Sequence, residues 1–172
     1  MKRVGAPTAS PLPPESYASK EKNPMSIFPT KILLATDGSE DAELAASAAA
    51  DLAESTGSEL EVIYALEVDP WRFPPDERGN QRLEEFKERG RRMRDEQVEK
   101  IEAGGVGVAK AHLAVGHPAE EIVAYAQDEG AGLIVMGSRG KGGIRRSLTG
   151  RVSDSVVRHA HCPVLVVRHE NE

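Results

Sequence analysis

Short apolar runs that alternate with longer segments of helical character constrain the fold of this chain more than any other feature. Such runs occur at residues 32–35, 133–136 and 164–167, and each is long enough for a buried strand but too short for a buried helix. Strands that are apolar on both faces predict a mainly parallel sheet with helices on each side.

Two further strands and four helices complete the alternation. Residues 60–66 and the alternating segment 109–115 are expected to be strands, the latter half exposed. Ser39 is a good N-cap for the first helix, Gly57 a good C-terminal stop, and Pro118 a suitable first residue for the third helix. The sequence therefore predicts an α/β fold of the Rossmann-like, doubly wound type, with a five-stranded, mainly parallel sheet and four helices.

Length and composition indicate one domain that follows an N-terminal tail. The chain has 172 residues, which is enough for a single domain with its own hydrophobic core. Residues 1–29 are rich in proline and show neither helical nor strand periodicity. We therefore expect a disordered tail at 1–29 and a ligand-binding domain at 30–172.

Charge, cysteine content and hydropathy exclude several classes of protein. The net charge of −6 disfavours general binding to nucleic acid, and a single cysteine rules out an internal disulfide. The longest apolar run, 162–167, is too short to cross a bilayer, and no apolar stretch follows the basic residues at the N-terminus. By elimination we expect a cytoplasmic protein with no membrane or nucleic-acid partner.

Two loops are candidates for ligand binding, because ligands bind beyond the carboxyl ends of parallel strands where the strand order reverses. One loop follows the first strand and contains Asp37, and the other spans residues 137–150 and leads into the last helix. Glycines in the second loop allow close approach of the backbone, and the amides of the following helix start can bind an anion. This loop and the residue that follows it carry five cations and no acid: Arg139, Lys141, Arg145, Arg146 and Arg151.

These loop features have two interpretations on the residues alone. A cationic, glycine-rich loop in an acidic chain indicates a polyphosphate ligand, whereas a flexible surface loop with solvated charges would look the same. The chain contains neither a G-x-x-x-x-G-K-[ST] loop nor a G-x-G-x-x-G turn after the first strand. A Walker-type site and a standard dinucleotide fold are therefore not expected.

Over residues 30–168 the sequence resembles the universal stress protein family. The resemblance rests on the segments KILLATDGS at 31–39 and GHPAEEI at 116–122, and on the stretch 134–167. ATP-binding members of that family carry the motif G-x2-G-x9-G-[ST]. Gly137, Gly140 and Gly150 have this spacing here, but Arg151 stands where the motif has serine or threonine.

The resemblance implies an ATP-binding protein with a regulatory or stress-response role, with Mg²⁺ as a possible companion of the nucleotide. Asp37 would contact the adenosine portion, with the shaping of the turn before Ser39 as its alternative role. The end of the second strand would offer backbone groups to the adenine, and the loop glycines would approach the phosphates. The expected site comprises Thr36, Asp37, Leu66, Met136, Gly137, Arg139, Gly140, Gly150, Arg151, Val152 and Ser153.

Three further expectations concern activity and assembly. The resemblance allows slow ATP hydrolysis but implies no efficient enzyme, and the S-G-G-x-D-S and H-x-G-H motifs of related nucleotide-hydrolysing enzymes are absent from the sequence. Loss of ATP binding, leaving an interaction module of the same fold, is the alternative that Arg151 favours. The last strand is apolar and is expected at a sheet edge, where family members pair across a two-fold axis, so we expect a homodimer.

A few remaining residues have simple structural explanations. His159, His161 and Cys162 look like metal ligands, but neighbouring side chains at the end of a helix point in different directions. No second cluster completes a tetrahedral set, so no metal site is expected, and Cys162 is interpreted as a small buried residue. Trp71 and Phe73 would either cover a ligand or pack on their own domain.

Overall fold

Five parallel strands and four helices alternate along the chain in the computed structural model, which describes residues 31–68, 71, 73–140 and 150–169. The strand order is β3-β2-β1-β4-β5, and the α/β, Rossmann-like fold predicted from the sequence is confirmed. The expected tail at 1–29 lies outside the described residues and stays a prediction. The elements are β1 (Lys31–Thr36), α1 (Glu40–Thr56), β2 (Glu59–Glu67), α2 (Glu77–Ala103), β3 (Lys110–Gly116), α3 (Pro118–Asp128), β4 (Leu133–Gly137), α4 (Arg151–His159) and β5 (Val164–Val167).

The helices form two layers, one on each face of the sheet. Ala45 of α1 and Ile101 of α2 belong to the core on one face, and Ile122 of α3 and Val156 of α4 belong to the core on the other. Successive strand residues enter these two cores alternately, so the central strands are buried on both faces. This burial explains why β1 and β4 are continuously apolar in the sequence.

Local sequence signals fix the ends of the helices as expected. The Ser39 hydroxyl accepts a hydrogen bond from the amide of Ala42 at 3.3 Å, which caps α1. Gly57 ends the same helix with φ 65, a left-handed conformation that glycine adopts without a Cβ clash. Pro118 is the first residue of α3, where its missing N–H leaves no helical bond unmade.

The long helix α2 packs closely on the sheet, although two of its buried residues are not apolar side chains. Gly90 and Gln97 lie on its buried side. A Cβ atom at Gly90 would come within 2.5 Å of Leu66 Cδ1 and 3.1 Å of Leu113 Cδ1, so glycine permits this approach. Although α2 is long, none of the described helices is both long and apolar enough to cross a bilayer.

The order of the strands places the switch point between β1 and β4. The chain moves outward from β1 through β2 to β3 on one side, and from β4 to β5 on the other. The expectation that the last strand lies at an edge is confirmed, and β3, expected to be half exposed, forms the opposite edge. The carboxyl ends of β1 and β4 therefore lie side by side, where a ligand site is expected.

Candidate functional site

The loops that follow β1 and β4 contact each other at the switch point. The Ser39 hydroxyl donates to the backbone oxygen of Arg139 at 3.1 Å, which joins the two loops directly. The backbone of Gly140 lies so close to Asp37 that a Cβ atom at Gly140 would overlap Asp37 Oδ2. The turn after β1 and the described start of the loop after β4 are thus in direct contact.

Asp37 shapes the turn between β1 and α1. Its Oδ1 accepts a hydrogen bond from the amide of Ser39 at 3.0 Å, the geometry of an Asx turn. Thr36 Oγ1 accepts from the amide of Gly38 at 3.2 Å, and Gly38 has φ 71, which favours glycine. The Tyr64 hydroxyl donates to the backbone oxygen of Asp37 at 3.4 Å. The turn role of Asp37 is therefore confirmed, and its contact with a ligand stays a prediction.

Asp41, a buried carboxylate in the first turn of α1, accepts hydrogen bonds from the first residues of the loop after β4. Its Oδ2 accepts from the Ser138 hydroxyl at 2.7 Å and from the Arg139 amide at 3.1 Å. Its Oδ1 accepts from the amide of His169 at 3.1 Å. Burial by itself would raise the pKa of Asp41, but the Ser138 and His169 hydrogen bonds and the charge of Arg139 hold it below its usual value.

Sequence analysis missed Asp41 as a residue of the site. Its partners Ser138 and His169 lie 97 and 128 positions away along the chain. Only the packing of α1 beside β4 brings them together, and the sequence holds no signal of that contact. In sequence, Asp41 looks like any acid that favours the first turn of a helix.

Two of the three motif glycines lie in close contact with backbone atoms of neighbouring segments. Gly137 is the last residue of β4, and a Cβ atom there would lie 2.8 Å from the Ala42 amide nitrogen and from the carbonyl carbon of Asp41. A Cβ atom at Gly150 would lie 3.1 Å from the backbone oxygen of Ser138. Neither glycine has positive φ, so the constraint is space and not backbone conformation.

The two described ends of the loop, at Ser138 and Gly150, meet at the start of α4. The Gly150 amide donates to the backbone oxygen of Ser138 at 2.7 Å, and the Ser153 hydroxyl lies 2.9 Å from the same oxygen. Ser153 is only 2% exposed, so its hydroxyl is engaged inside the protein. No described side chain caps the first turn of α4, a helix start of the kind that can bind an anion.

The two described cations of the loop have different environments. The Arg139 side chain is 18% exposed, and its Nε lies 3.6 Å from Asp41 Oδ2. This Nε is buried and has no hydrogen-bond partner within the described part of the chain. Arg151 is exposed at the start of α4. The other three expected cations, Lys141, Arg145 and Arg146, lie outside the described residues.

The remaining expected site residues, Leu66, Met136 and Val152, lie at the end of β2, in β4 and in α4. β2 extends to Glu67, beyond its last pairing with β1 at Tyr64, so the segment around Leu66 borders the open end of β1. The side chain of Met136 is buried in the core beneath α3 and α4, and Val152 packs against that core. Any contribution of these two residues to a ligand site would therefore come through the backbone.

The histidines near the end of α4 bond to separate carbonyl groups. His159 Nδ1 lies 2.8 Å from the backbone oxygen of Ser155, and His161 Nε2 lies 3.1 Å from that of Ala131. Within the described ranges no group of three His, Cys, Asp or Glu residues could hold a metal ion. Burial raises the pKa of the Cys162 thiol, which makes it a poor nucleophile at neutral pH.

The two aromatic residues after β2 differ in burial. Phe73 packs on its own domain, because its ring centroid lies 5.3 Å from that of Phe86 in α2. Trp71 is 93% exposed. The interpretation of Phe73 as a packing residue is thus confirmed, while a role for Trp71 over a ligand stays a prediction.

Comparison with known proteins identifies the family of this chain. The sequence profile of the universal stress protein family matches residues 29–168. A universal stress protein of Thermus aquaticus is 42% identical over 142 residues, which cover 80% of this chain and 97% of that protein.

Solved structures agree with the sequence match. The structure of a universal stress protein of Methanocaldococcus jannaschii gives a TM-score of 0.74 at 31% identity, covering 86% of this chain and 100% of that chain. The structure of a universal stress protein from Archaeoglobus fulgidus in complex with dAMP gives a TM-score of 0.56 at 25% identity, covering 80% and 96%. The chain described above belongs to the universal stress protein family.

Proposed function

We propose that this protein binds ATP at the switch point and has a regulatory or stress-response role rather than that of an efficient enzyme. The observation that carries the proposal is the close approach of the Gly140 backbone to Asp37, near the start of α4, where no described side chain caps the helix. A site of this kind combines close backbone approach with helix-start amides that favour phosphate. The dAMP bound to the Archaeoglobus fulgidus relative supports an adenine nucleotide as the class of ligand.

In this proposal each part of the nucleotide has its own partners. Asp37 contacts the adenosine portion, and the backbone near Leu66 at the end of β2 contacts the adenine. The amides around Gly140 and at the start of α4 contact the phosphates, with Arg139 and Arg151 supplying positive charge. The Gly150 amide already donates to the backbone oxygen of Ser138, so it is not a free donor for phosphate. Gly150 would contribute only by lacking a side chain where the phosphates approach the backbone.

Mg²⁺ is proposed as a companion of the bound ATP. This ion binds protein through one or two carboxylates, with phosphate oxygens and water as its other ligands. Asp41, a buried carboxylate at the loop junction, is already engaged by three protein donors. The ion would therefore be held chiefly by the phosphate oxygens of the nucleotide and by water.

A second candidate function is an interaction module that has lost ATP. It is favoured by the exposed Arg151 in place of the motif's serine or threonine, and by the Ser153 hydroxyl being directed to backbone oxygens inside the loop. An enzyme that hydrolyses ATP slowly would share the first proposal's site.

The substitution Arg151→Ser, which restores the family motif, distinguishes the two functions. If Arg151 contacts phosphate, the wild type binds ATP with an affinity that falls as salt rises, because a charge contact is screened. Arg151→Ser then binds ATP with a weaker dependence on salt. If Arg151 obstructs the site, the wild type binds poorly and the variant binds better. Isothermal titration calorimetry at two salt concentrations measures both quantities.

Arg158→Ser is the matched control for this experiment. Arg158 is an exposed cation at the other end of α4, where it pairs with Asp154 at 3.0 Å. Its loss removes the same charge from the same helix, so it should leave ATP affinity and its salt dependence close to those of the wild type. Absence of ATP binding by folded wild type and folded Arg151→Ser would leave the interaction module as the function.

We also propose a cytoplasmic homodimer that pairs through β5, with neither a membrane nor nucleic acid as a partner. An apolar edge strand exposes backbone groups that proteins normally cover, and Leu165 on β5 is 37% exposed. Leu165→Glu should shift the protein from dimer to monomer in sedimentation equilibrium at micromolar concentration. Trp71→Glu is the control, because Trp71 is 93% exposed in the segment after β2, and β1 and β4 separate β2 from β5. A wild type that sediments as a monomer would contradict this proposal.

A further inference from the structure

Asp41 connects two segments of the chain that carry different parts of the proposed function. One segment is Ser138–Arg139, the start of the phosphate loop, and the other is His169, just beyond the edge strand β5. The carboxylate uses Oδ2 for the first segment and Oδ1 for the second. Its residue is only 6% exposed, so solvent offers little competition for these hydrogen bonds.

The hydrogen bonds of Asp41 link the segments after β4 and β5 just beyond the last backbone hydrogen bond between them. The last backbone bond between the β4 and β5 segments runs from the Ser138 amide to the Val167 oxygen at 2.7 Å. Beyond it, Asp41 provides a link from the loop to His169 through a third element, α1. Movement of the loop is therefore opposed by bonds that also hold the end of the edge strand.

We propose that Asp41 is a positioning residue that couples the phosphate loop to the end of β5, so that nucleotide in the loop stabilises residues 167–169. The inference rests on the proposed function, because it is the bound nucleotide that would restrict the loop. A ligand that contacts the Gly140 backbone and the charged group of Arg139 restricts the loop, and Asp41 passes that restriction to His169. Because the pKa of Asp41 stays below its usual value despite burial, its carboxylate is ionised at neutral pH.

Asp41→Asn tests the coupling without changing the size of the side chain. Asparagine has one acceptor oxygen, so it can accept from the loop or from His169, and its NH₂ group then faces a donor on the other side. The bridge is broken on one side while the packing of α1 is retained. We expect ATP affinity to fall about tenfold, the effect of one lost hydrogen bond to a charged group.

Glu40→Gln is the matched control. Glu40 is the neighbouring acid in the first turn of α1, and it is exposed. If charge alone mattered, neutralising either acid near a polyphosphate would tighten ATP binding. If Asp41 instead positions the loop, Asp41→Asn should weaken ATP binding, whereas Glu40→Gln should cause no loss of ATP affinity.

Amide hydrogen exchange, measured by NMR with and without ATP, gives the readout that separates coupling from simple loss of stability. In the wild type and in Glu40→Gln, ATP should slow exchange at the amides of Arg139 and His169. In Asp41→Asn, saturating ATP should protect Arg139 but no longer protect His169.

The outcomes distinguish the inference from the function on which it rests. A wild type that binds ATP without slowing exchange at His169 would overturn the coupling alone, as would full protection of His169 in Asp41→Asn. A folded wild type that binds no ATP would overturn both the proposed function and the coupling.

Discussion

Gly137→Ala is expected to destabilise the fold by roughly 1–3 kcal/mol, the usual effect of overpacking a tight contact. Alanine normally stabilises a strand relative to glycine, because glycine loses more backbone entropy on folding. At Gly137 the added Cβ would lie 2.8 Å from the amide nitrogen of Ala42 and from the carbonyl carbon of Asp41. Both are backbone atoms in the first turn of α1, so neither can turn away as a side chain would.

Urea denaturation followed by circular dichroism measures the free energy of unfolding of the variant. Gly107→Ala is the control, since Gly107 is exposed before β3, has ordinary φ and has no heavy atom within 4 Å of an added Cβ. The control should be as stable as the wild type or slightly more stable. Equal stability of Gly137→Ala and the control would show that α1 does not press on the end of β4.

The sequence predicts the order of the elements well, because that order depends on local signals. The apolar runs mark the strands, and Ser39, Gly57 and Pro118 mark helix ends through interactions within a few residues. The alternation of strands and helices is enough to give a parallel sheet covered on both faces. The switch point, and with it the position of Asp37 beside the loop after β4, follows from the fold class.

Long-range pairings could not be predicted in the same way. Glu61 is a charged residue at the third position of β2, yet it is 3% exposed. Its Oε1 lies 2.7 Å from Lys31 Nζ of β1, and its Oε2 accepts from the Tyr125 hydroxyl of α3 at 3.1 Å. These partners depend on the register of β1 with β2 and on the placement of α3. Asp41 was missed for the same physical reason.

The glycine motif shows where sequence spacing is informative and where it is not. The spacing of Gly137, Gly140 and Gly150 locates the loop, but the three residues meet different neighbours. Gly137 faces the backbone of α1 and Gly150 faces a carbonyl of its own loop. Gly140 alone faces the carboxylate of a residue proposed to bind the nucleotide. The motif therefore combines a packing requirement with a binding requirement, and substitutions can separate them.

Gly140→Val is expected to weaken ATP binding by about 100-fold or more, equivalent to roughly 2.7 kcal/mol. Gly140 has ordinary φ, so the backbone accepts a side chain, but the new Cβ would overlap Asp37 Oδ2. That oxygen is the end of a side chain and can turn away, so the fold should survive. The displaced Asp37 loses its position at the adenosine end, and the valine methyl groups occupy the space in which the phosphates would approach the loop.

Calorimetry with ATP, together with urea denaturation, tests this prediction against Gly137→Ala and the control Gly107→Val. Gly140→Val should lose ATP affinity with little loss of folding stability. Gly137→Ala should instead lose folding stability, because the neighbours of its added Cβ are backbone atoms of α1. Gly107→Val should retain ATP binding, since it adds the same side chain in open space. If Gly140→Val binds ATP as the wild type does, the nucleotide does not approach the backbone at Gly140, and the proposed placement of the phosphates is wrong.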